Sequence, residues 1–374
     1  MRLLTGLLLA ALALGGAAAE ADVSWLTLPR GFRIEEFATG LGGTRFLAVD
    51  PAGTLLVSIP GQGRVLALPD RDRDGRADAV VPVAEGLDLP HGLAFHTGHL
   101  WVAETGRVRR FRWDPATLRA TEPVTVVGNI PARGAHFTRS LAFGPDGRLY
   151  VSVGSSCNVC REGDPRRAAI TRYTADGSDE RLFATGLRNA VGLAFHPATG
   201  ALWATVNERD WRGDDLPPDY ITEVTEGAFH GWPDCFVAQG KVVRDADFKG
   251  DAARCARVTP PTLEIQAHSA PLGLAFYTGA QFPAAYLGSL FVAYQGSWNR
   301  SVPTGYKVVR VPFTDGRPGA PEDFVTGFLT GGRAWARPVD LAVGADGALY
   351  LSADGIYRIS YREEEPAGRR RRRG

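Results

Sequence analysis

The segment Leu141–Val151 reads Leu-Ala-Phe-Gly-Pro-Asp-Gly-Arg-Leu-Tyr-Val: an apolar run, an Asp-Gly bend and a second apolar run. Branched and aromatic residues on both sides of an Asp-Gly pair are typical of a β-hairpin. Related phrases begin six times along the chain, at Leu47, Leu93, Leu141, Leu193, Leu274 and Leu341. Repetition of one small unit indicates an architecture in which each copy packs on its neighbours. Hairpins arranged radially leave few open sheet edges, so the sequence predicts an all-β, six-bladed β-propeller.

The first residues of the chain differ in composition from the repeats. Arg2 precedes a largely apolar run from Leu3 to Leu14, and Ala17 and Ala19 form a small-x-small cleavage pattern. The run is too short for a stop-transfer helix. Residues 1–19 are therefore predicted to be a secretory signal peptide, with an uncleaved membrane anchor as the alternative.

The remainder is predicted to be one domain, residues 20–362, followed by a charged disordered tail at 363–374. A strand within Phe32–Phe37 is expected to close the last blade by pairing with Ile356–Tyr361. The net charge is +1 and the longest basic run, five arginines, lies in the tail, so nucleic-acid binding is not expected. We expect a periplasmic or secreted protein that does not span the membrane.

The four cysteines all lie in the predicted domain, and an even number in an exported protein favours disulfides. We expect Cys157–Cys160 to close a tight loop after the third hairpin and Cys235–Cys255 to hold a long insertion. A redox-active pair is the alternative at Cys157–Cys160, although such pairs usually open a helix. The spacing fits neither haem attachment nor a zinc site.

Two acidic segments resemble calcium-binding loops. Asp70–Asp78 has carboxylates at its first, third, fifth and ninth positions and Gly75 at its sixth, but Val81 stands where an EF-hand has a bidentate Glu. Asn207–Asp219 contains five acidic side chains, and such a density of hard oxygen donors suits Ca²⁺. The alternative in each case is a solvated acidic loop.

Polar residues recur a few positions before the repeated phrase. His136 precedes the third copy, Arg188 the fourth and Arg337 the sixth. Rotational symmetry directs them towards the central channel, where two guanidinium groups and an imidazole suit an anionic, planar ligand. His136 could instead be a hydrogen-bonded structural residue. His91 and His268 occupy comparable positions and could be structural or substrate-binding.

Seven short motifs follow one another along the predicted domain: His136–Arg139, Gly154–Cys160, Gly186–Asn189, Gly213–Asp215, His230–Pro233, Gly296–Arg300 and Arg337–Asp340. In this order they resemble the soluble, pyrroloquinoline-quinone-dependent sugar dehydrogenases of the glucose and sorbosone dehydrogenase type. The resemblance implies a six-bladed propeller with the quinone and Ca²⁺ in the mouth of the channel. It also implies oxidation of a sugar by hydride transfer to the quinone.

The resemblance implies roles for individual residues. His136 matches the general base that removes a proton from the C1 hydroxyl of the sugar, which a neutral imidazole can do. Arg188 and Asn189 match the pair at the reactive face of the quinone, where positive charge stabilises electron density arriving on the ring. Arg337 matches a ligand of a cofactor carboxylate.

Further positions follow from the same resemblance. Arg300 and Lys307 are the candidates for an additional cofactor contact from the fifth blade. Asp215 or Asp219 is the expected metal ligand in the calcium-binding loop. Gln295 stands where this branch often has His, which could alter specificity or activity.

The sequence thus favours an exported dehydrogenase that oxidises an aldose, sorbosone or a related sugar and passes electrons to an unidentified acceptor. A calcium-dependent lactonase on a six-bladed propeller is one alternative, but it leaves Arg188 and Arg337 unexplained. A non-catalytic carbohydrate-binding propeller is another. The sequence has no Gly-rich nucleotide fingerprint between a strand and a helix, which disfavours a nicotinamide enzyme.

Overall fold

A computed structural model of the chain describes residues 23–363. The predicted signal peptide, and the predicted tail beyond residue 363, lie outside the described residues, so these two predictions stay untested. No helix within the described part is both long and apolar enough to cross a bilayer.

Six four-stranded antiparallel sheets make up the described chain, which confirms the predicted six-bladed propeller. The first strand is β1 (Phe32–Ala38). Blades 1 to 3 follow as β2 (Leu47–Val49), β3 (Leu55–Ile59), β4 (Arg64–Leu68) and β5 (Val81–Ala84); β6 (Leu93–His96), β7 (His99–Glu104), β8 (Arg107–Asp114) and β9 (Arg119–Val127); β10 (Arg139–Phe143), β11 (Leu149–Val153), β12 (Ala169–Tyr173) and β13 (Arg181–Thr185).

The fourth blade carries the longest insertion. Its strands and the elements inserted before its last strand are β14 (Ala190–Phe195), β15 (Leu202–Val206), β16 (Asp219–Val224), β17 (Cys235–Ala238), β18 (Lys241–Arg244), α1 (Ala252–Cys255) and β19 (Leu263–Ile265). Both predicted disulfides are present, Cys157–Cys160 and Cys235–Cys255, and the second joins β17 to α1 within this insertion.

The last two blades include three short hairpin or edge pairs. Their elements are β20 (Pro271–Phe276), β21 (Leu290–Tyr294), β22 (Lys307–Val311), β23 (Phe313–Thr314), β24 (Arg317–Pro318), β25 (Glu322–Val325), β26 (Leu329–Thr330), β27 (Arg333–Ala334), β28 (Asp340–Val343), β29 (Leu349–Ser352) and β30 (Ile356–Tyr361). Strand β1 pairs antiparallel with β30, with Phe32 opposite Tyr361, and so closes blade 6 as predicted.

Packing between blades explains the repeated phrase. Six apolar clusters each join two neighbouring blades around the ring. Glycines before the phrase allow the inner strands to approach one another. A Cβ atom on Gly192 would lie 2.3 Å from the carbonyl oxygen of Leu272, and one on Gly273 would lie 1.8 Å from Asp340 Oδ1. Close-packed interiors leave no room for such atoms.

The alternating strand directions give the propeller two distinct faces. The loops between the second and third strands of each blade and the segments that enter each inner strand emerge on one face, here called the site face. His136, Arg188 and Arg337 all lie in segments that enter inner strands, so the topology places them on this face. The long loops 154–168, 207–218 and 295–306 join second to third strands and lie on the same face.

The acidic loop Asp70–Asp78 lies on the opposite face, between β4 and β5 and beside a cavity of about 560 Å³. Carboxylate oxygens of Asp70, Asp72 and Asp78 come within 4.8 Å of one another. Amides of the same loop donate hydrogen bonds to these carboxylates, including that of Gly75 to Asp70. Calcium binding by this loop stays a prediction, and such an ion would lie away from the candidate site.

Candidate functional site

His136 lies just before inner strand β10, half-buried on the site face. Its Nδ1 atom is 2.9 Å from the carbonyl oxygen of Ser155 and 3.1 Å from the Ser155 hydroxyl. A carbonyl oxygen can only accept, so Nδ1 carries the proton and Nε2 is the basic nitrogen. Burial, followed by the positive charge of Arg188, lowers the pKa of His136 to about 4. The imidazole is therefore neutral at physiological pH.

Asn189 lies beside His136 because Gly154 lacks a side chain. A Cβ atom on Gly154 would lie 2.4 Å from Asn189 Oδ1 and 2.8 Å from the Cβ of His136. The Oδ1 atom of Asn189 is buried and has no hydrogen-bond partner in the protein. Buried polar atoms are nearly always paired, so this oxygen is suited to accept a hydrogen bond from a ligand.

Arg188 is almost completely buried and is held by acceptors from two loops. Its Nε donates to the carbonyl oxygen of Asn158 at 3.0 Å, and Nη1 donates to that of Glu208 at 2.8 Å. Nη2 donates to Asp210 Oδ2 at 3.1 Å and to Asn158 Oδ1 at 3.0 Å. Burial lowers the pKa of Arg188, while Asp210 and Glu208 oppose that shift. Arginine stays charged in such settings, so Arg188 is a fixed positive charge near His136.

The Cys157–Cys160 loop supports both of these residues. Asn158, within the disulfide loop, binds Arg188 as described above. The Ser155 hydroxyl donates to the carbonyl oxygen of Cys157 at 2.7 Å, and Ser155 also contacts His136. The expected tight loop therefore positions the candidate base and the arginine together.

Asp210 connects the fourth blade to the fifth. One of its oxygens accepts from Arg188, and the other accepts from Asn299 Nδ2 at 2.9 Å. Arg300, the next residue, donates through Nη1 to the carbonyl oxygens of Asp214 and Ala267. Loops 207–218 and 295–306 are thus bound to each other beside Arg188.

Arg337 lies against the far side of loop 295–306. Its Nη1 donates to the carbonyl oxygen of Gly296 at 3.0 Å, and its guanidinium carbon is 4.8 Å from the centre of the Tyr306 ring. Gly296 has a φ of +96°, and a Cβ atom there would lie 2.4 Å from the Tyr306 ring. Glycine is therefore required at this position for Tyr306 to pack beneath Arg337.

Hydrogen bonds connect most of the predicted site residues in one network, running from His136 through Arg188 to loop 295–306, with Arg337 at its end. Lys307 lies apart from it, because its Nζ pairs with Asp323 at 2.5 Å between β22 and β25. Its role as a cofactor ligand stays a prediction. Gln295 follows β21, and its amide donates to the carbonyl oxygen of Ala270.

The other two histidines have structural contacts. His91 is fully buried against Phe46, with ring centres 4.1 Å apart, and burial lowers its pKa well below the ordinary value. The Nε2 atom of His268 lies 3.0 Å from the carbonyl oxygen of Gly213 and so contacts loop 207–218.

The predicted calcium ligands lie in contrasting environments. The Asp215 side chain is 86% exposed and 3.5 Å from Arg300. Asp219 is 1% exposed. Its two oxygens accept from the amides of Glu208 and Ala270, at 2.8 and 2.9 Å. Burial raises the pKa of Asp219 to about 6. Asp219 thus connects two loops, and these two carboxylates do not form a shared set of metal ligands.

Comparison with known proteins identifies the family. The TrAA12-like family model matches residues 26–216 and 216–360. The chain belongs to the TrAA12-like family. A pyrroloquinoline quinone-dependent pyranose dehydrogenase from Coprinopsis cinerea is 28% identical over 405 residues, which cover 88% of this chain and 53% of the fungal protein. This TrAA12-like chain thus spans about half the length of that relative. An uncharacterized protein from Borreliella burgdorferi is 29% identical, over 92% of this chain and 93% of its own.

Solved structures agree with this TrAA12-like assignment. The holo form of the Coprinopsis cinerea pyranose dehydrogenase PQQ domain has a TM-score of 0.75 and 26% identity, over 90% of this chain and 97% of that one. The calcium structure of the Trichoderma reesei family AA12 protein has a TM-score of 0.79, 23% identity and the same coverage, which speaks for the fold alone. The resemblance inferred from the motifs is confirmed: the relatives are pyrroloquinoline-quinone-dependent sugar dehydrogenases.

Four contributors to the network of this TrAA12-like chain were not predicted from sequence: Ser155, Asn158, Asp210 and Asn299. Asn158 and Asn299 lie inside motifs quoted for the resemblance, but nothing in the local pattern shows which partner they reach. Their partners are up to 89 residues away in the chain, as for Asn299 and Asp210. Only the folded ring brings these loops together.

Proposed function

We propose that this protein is an exported, pyrroloquinoline-quinone-dependent dehydrogenase that oxidises the C1 hydroxyl of an aldose or a related sugar, with His136 as the general base. The observation that carries the proposal is the arrangement of His136. Its Nδ1 proton is held by Ser155, its Nε2 is basic, and its side chain lies beside Arg188 and Asn189. Two disulfides support export, because such bonds persist in oxidising compartments.

The residues present fit a quinone that carries carboxylates. Asn189 offers an unpaired, buried oxygen to a donor on the ligand. Arg337, half-buried at the edge of the network, is suited to bind a carboxylate. When bound, pyrroloquinoline quinone supplies the acceptor for the two electrons that the sugar loses.

Proton removal falls to His136. A neutral imidazole whose Nδ1–H is already bound can take the hydroxyl proton of the sugar at Nε2 only. Protonation then places a second positive charge near Arg188, which holds the pKa of His136 low and favours return of the proton to solvent. The side chain is half-buried, so that path to solvent is short.

Arg188 contributes charge and not a free donor. All five of its N–H groups have acceptors within the protein: carbonyl oxygens of three residues, the Asn158 amide and the Asp210 carboxylate. A cation fixed in this way stabilises negative charge that develops nearby without having to reorient.

Calcium remains part of the proposal only as a condition to be varied. Asp215 and Asp219 do not fit a common ion, as their exposure and partners show. No step of the proposed proton transfer depends on a metal.

The test is reconstitution of the purified mature protein with pyrroloquinoline quinone, with and without Ca²⁺, followed by dye reduction with a panel of aldoses and sorbosone. Stoichiometric quinone binding with sugar-dependent reduction is expected. Absence of quinone binding in both conditions would contradict the proposal. Hydrolysis of a lactone without added quinone would favour the lactonase, and sugar binding without either reaction the carbohydrate-binding propeller.

A further inference from the structure

Two tryptophans on the site face are unusually exposed. Trp211 and Trp298 expose 69% and 64% of their surface, and their rings meet edge to face with centres 5.1 Å apart. Adjacent exposed aromatic rings of this size commonly mark a binding surface. Nothing in the proton transfer described above uses either ring.

Their position is set by the same carboxylate that holds Arg188. Trp211 follows Asp210 in the chain, Trp298 precedes Asn299, and Asp210 and Asn299 are hydrogen-bonded at 2.9 Å. The other oxygen of Asp210 accepts from Arg188. The pair of rings is therefore attached to the candidate site through two hydrogen bonds and lies at its rim.

The chemistry of the surface matches a sugar ring. A pyranose has an apolar face of C–H groups, which packs on an indole, and a rim of hydroxyl groups, which seeks polar partners. Polar partners surround the rings: Asp215 is largely exposed, and Arg212 is close by in the same loop. Two indoles are a small area for a protein partner, since stable protein interfaces bury more than about 1,000 Å².

We propose that Trp211 and Trp298 form a stacking platform for a second pyranose ring, next to the ring that is oxidised. The inference rests on the proposed function and specifies its substrate class: oligosaccharides with a reducing end, in preference to free monosaccharides. The reducing-end ring lies at His136, and the ring attached to it lies on the tryptophan pair.

The test measures binding to the quinone-free protein. Glucose, cellobiose, maltose and maltotriose are titrated while the indole Nε1–H signals are followed by NMR; the chain has eight tryptophans, and single variants assign the signals. Signals of Trp211 and Trp298 should shift with at least one disaccharide, which should bind about tenfold more tightly than glucose. Trp211→Ala and Trp298→Ala should each remove most of this preference and leave glucose affinity unchanged.

The control is Trp25→Ala. Trp25 is 44% exposed but packs edge-on against Trp335, so its loss should not alter the preference. Trp298→Phe, which keeps an aromatic face, should retain much of it. Equal affinity for glucose and all longer sugars would overturn the platform, as would Trp298→Ala weakening quinone binding with the length preference intact.

Dye reduction separates this inference from the proposed function. Turnover of glucose with no gain from a second ring would reject the platform and keep the dehydrogenase. A length preference in binding that depends on both tryptophans, without turnover of any sugar, would support the platform and reject the dehydrogenase. Concentration-dependent self-association that Trp211→Ala abolishes, without sugar binding, would reassign the rings to a contact between copies.

Discussion

The Nδ1 atom of His136 lies 2.9 Å from the carbonyl oxygen of Ser155, and this contact decides which imidazole nitrogen is basic. The carbonyl group belongs to the residue after Gly154, the position where a side chain would collide with both His136 and Asn189. One backbone turn after β11 therefore sets the tautomer of the candidate base and makes room for the amide beside it. The adjoining disulfide loop holds Arg188 at the same time.

Replacing the base should abolish turnover while leaving the cofactor site largely intact. His136→Ala is expected to lower the rate of sugar-dependent dye reduction by about a hundredfold or more, because general-base catalysis contributes on that scale. Quinone affinity, measured by fluorescence titration, should change little. His99→Ala, in an exposed strand on another blade, is the control and should retain full activity. Normal turnover by His136→Ala would reject the base assignment.

The acidic limb of the pH profile should lie unusually low. Burial and Arg188 hold the pKa of His136 at about 4, and the base is active only when deprotonated, so activity should persist below pH 6 and fall as the pH approaches 4. An NMR titration of the imidazole in the quinone-free protein checks this value directly. Arg188→Gln should raise the pKa, because it removes the second of the two causes. A titration midpoint near 6.5 in the wild type would contradict the buried, cation-flanked environment.

Asn158 should matter for both stability and turnover. Its Oδ1 accepts from Arg188 Nη2 at 3.0 Å and from the amide of Asp210 at 2.8 Å, so Asn158→Ala leaves two buried donors short of a partner. Such a loss costs about 2 kcal/mol in the free energy of unfolding. Turnover should fall as Arg188 loses its fixed position. Asn158→Asp keeps an acceptor oxygen and should restore most of the stability; equal losses in both variants would show that the oxygen is not what matters.

How far the sequence could predict the molecule depended on the range of the interaction. The Leu-Ala phrase is local and repeats, so six blades could be counted before the structure was known, and the pairing of β1 with β30 followed from the need to close a ring. The shared register of His136, Arg188 and Arg337 placed them on one face for the same reason.

Other features depend on contacts between loops of different blades, which no local pattern encodes. Asp219 looked like a metal ligand because it ends an acidic loop, yet it begins β16 and is buried between two backbone amides. Lys307 looked available but begins β22 and pairs with Asp323. The Trp211–Trp298 contact joins the long loops of two blades and needs the hydrogen bond between Asp210 and Asn299 to form.

The contact between the inner strands of blades 5 and 6 gives a prediction for the fold itself. A Cβ atom on Gly273 would lie 1.8 Å from Asp340 Oδ1 and 2.6 Å from its Cα, so Gly273→Ala must push β20 and β28 apart. Overpacking of this kind costs about 3 kcal/mol in the free energy of unfolding, measured by urea denaturation. Gly61→Ala is the matched control, since nothing lies within 4 Å of a Cβ there, and it should be nearly neutral. If both variants unfolded at the wild-type urea concentration, the close approach of the inner strands would be wrong, and with it the reason why glycine precedes the phrase at this blade.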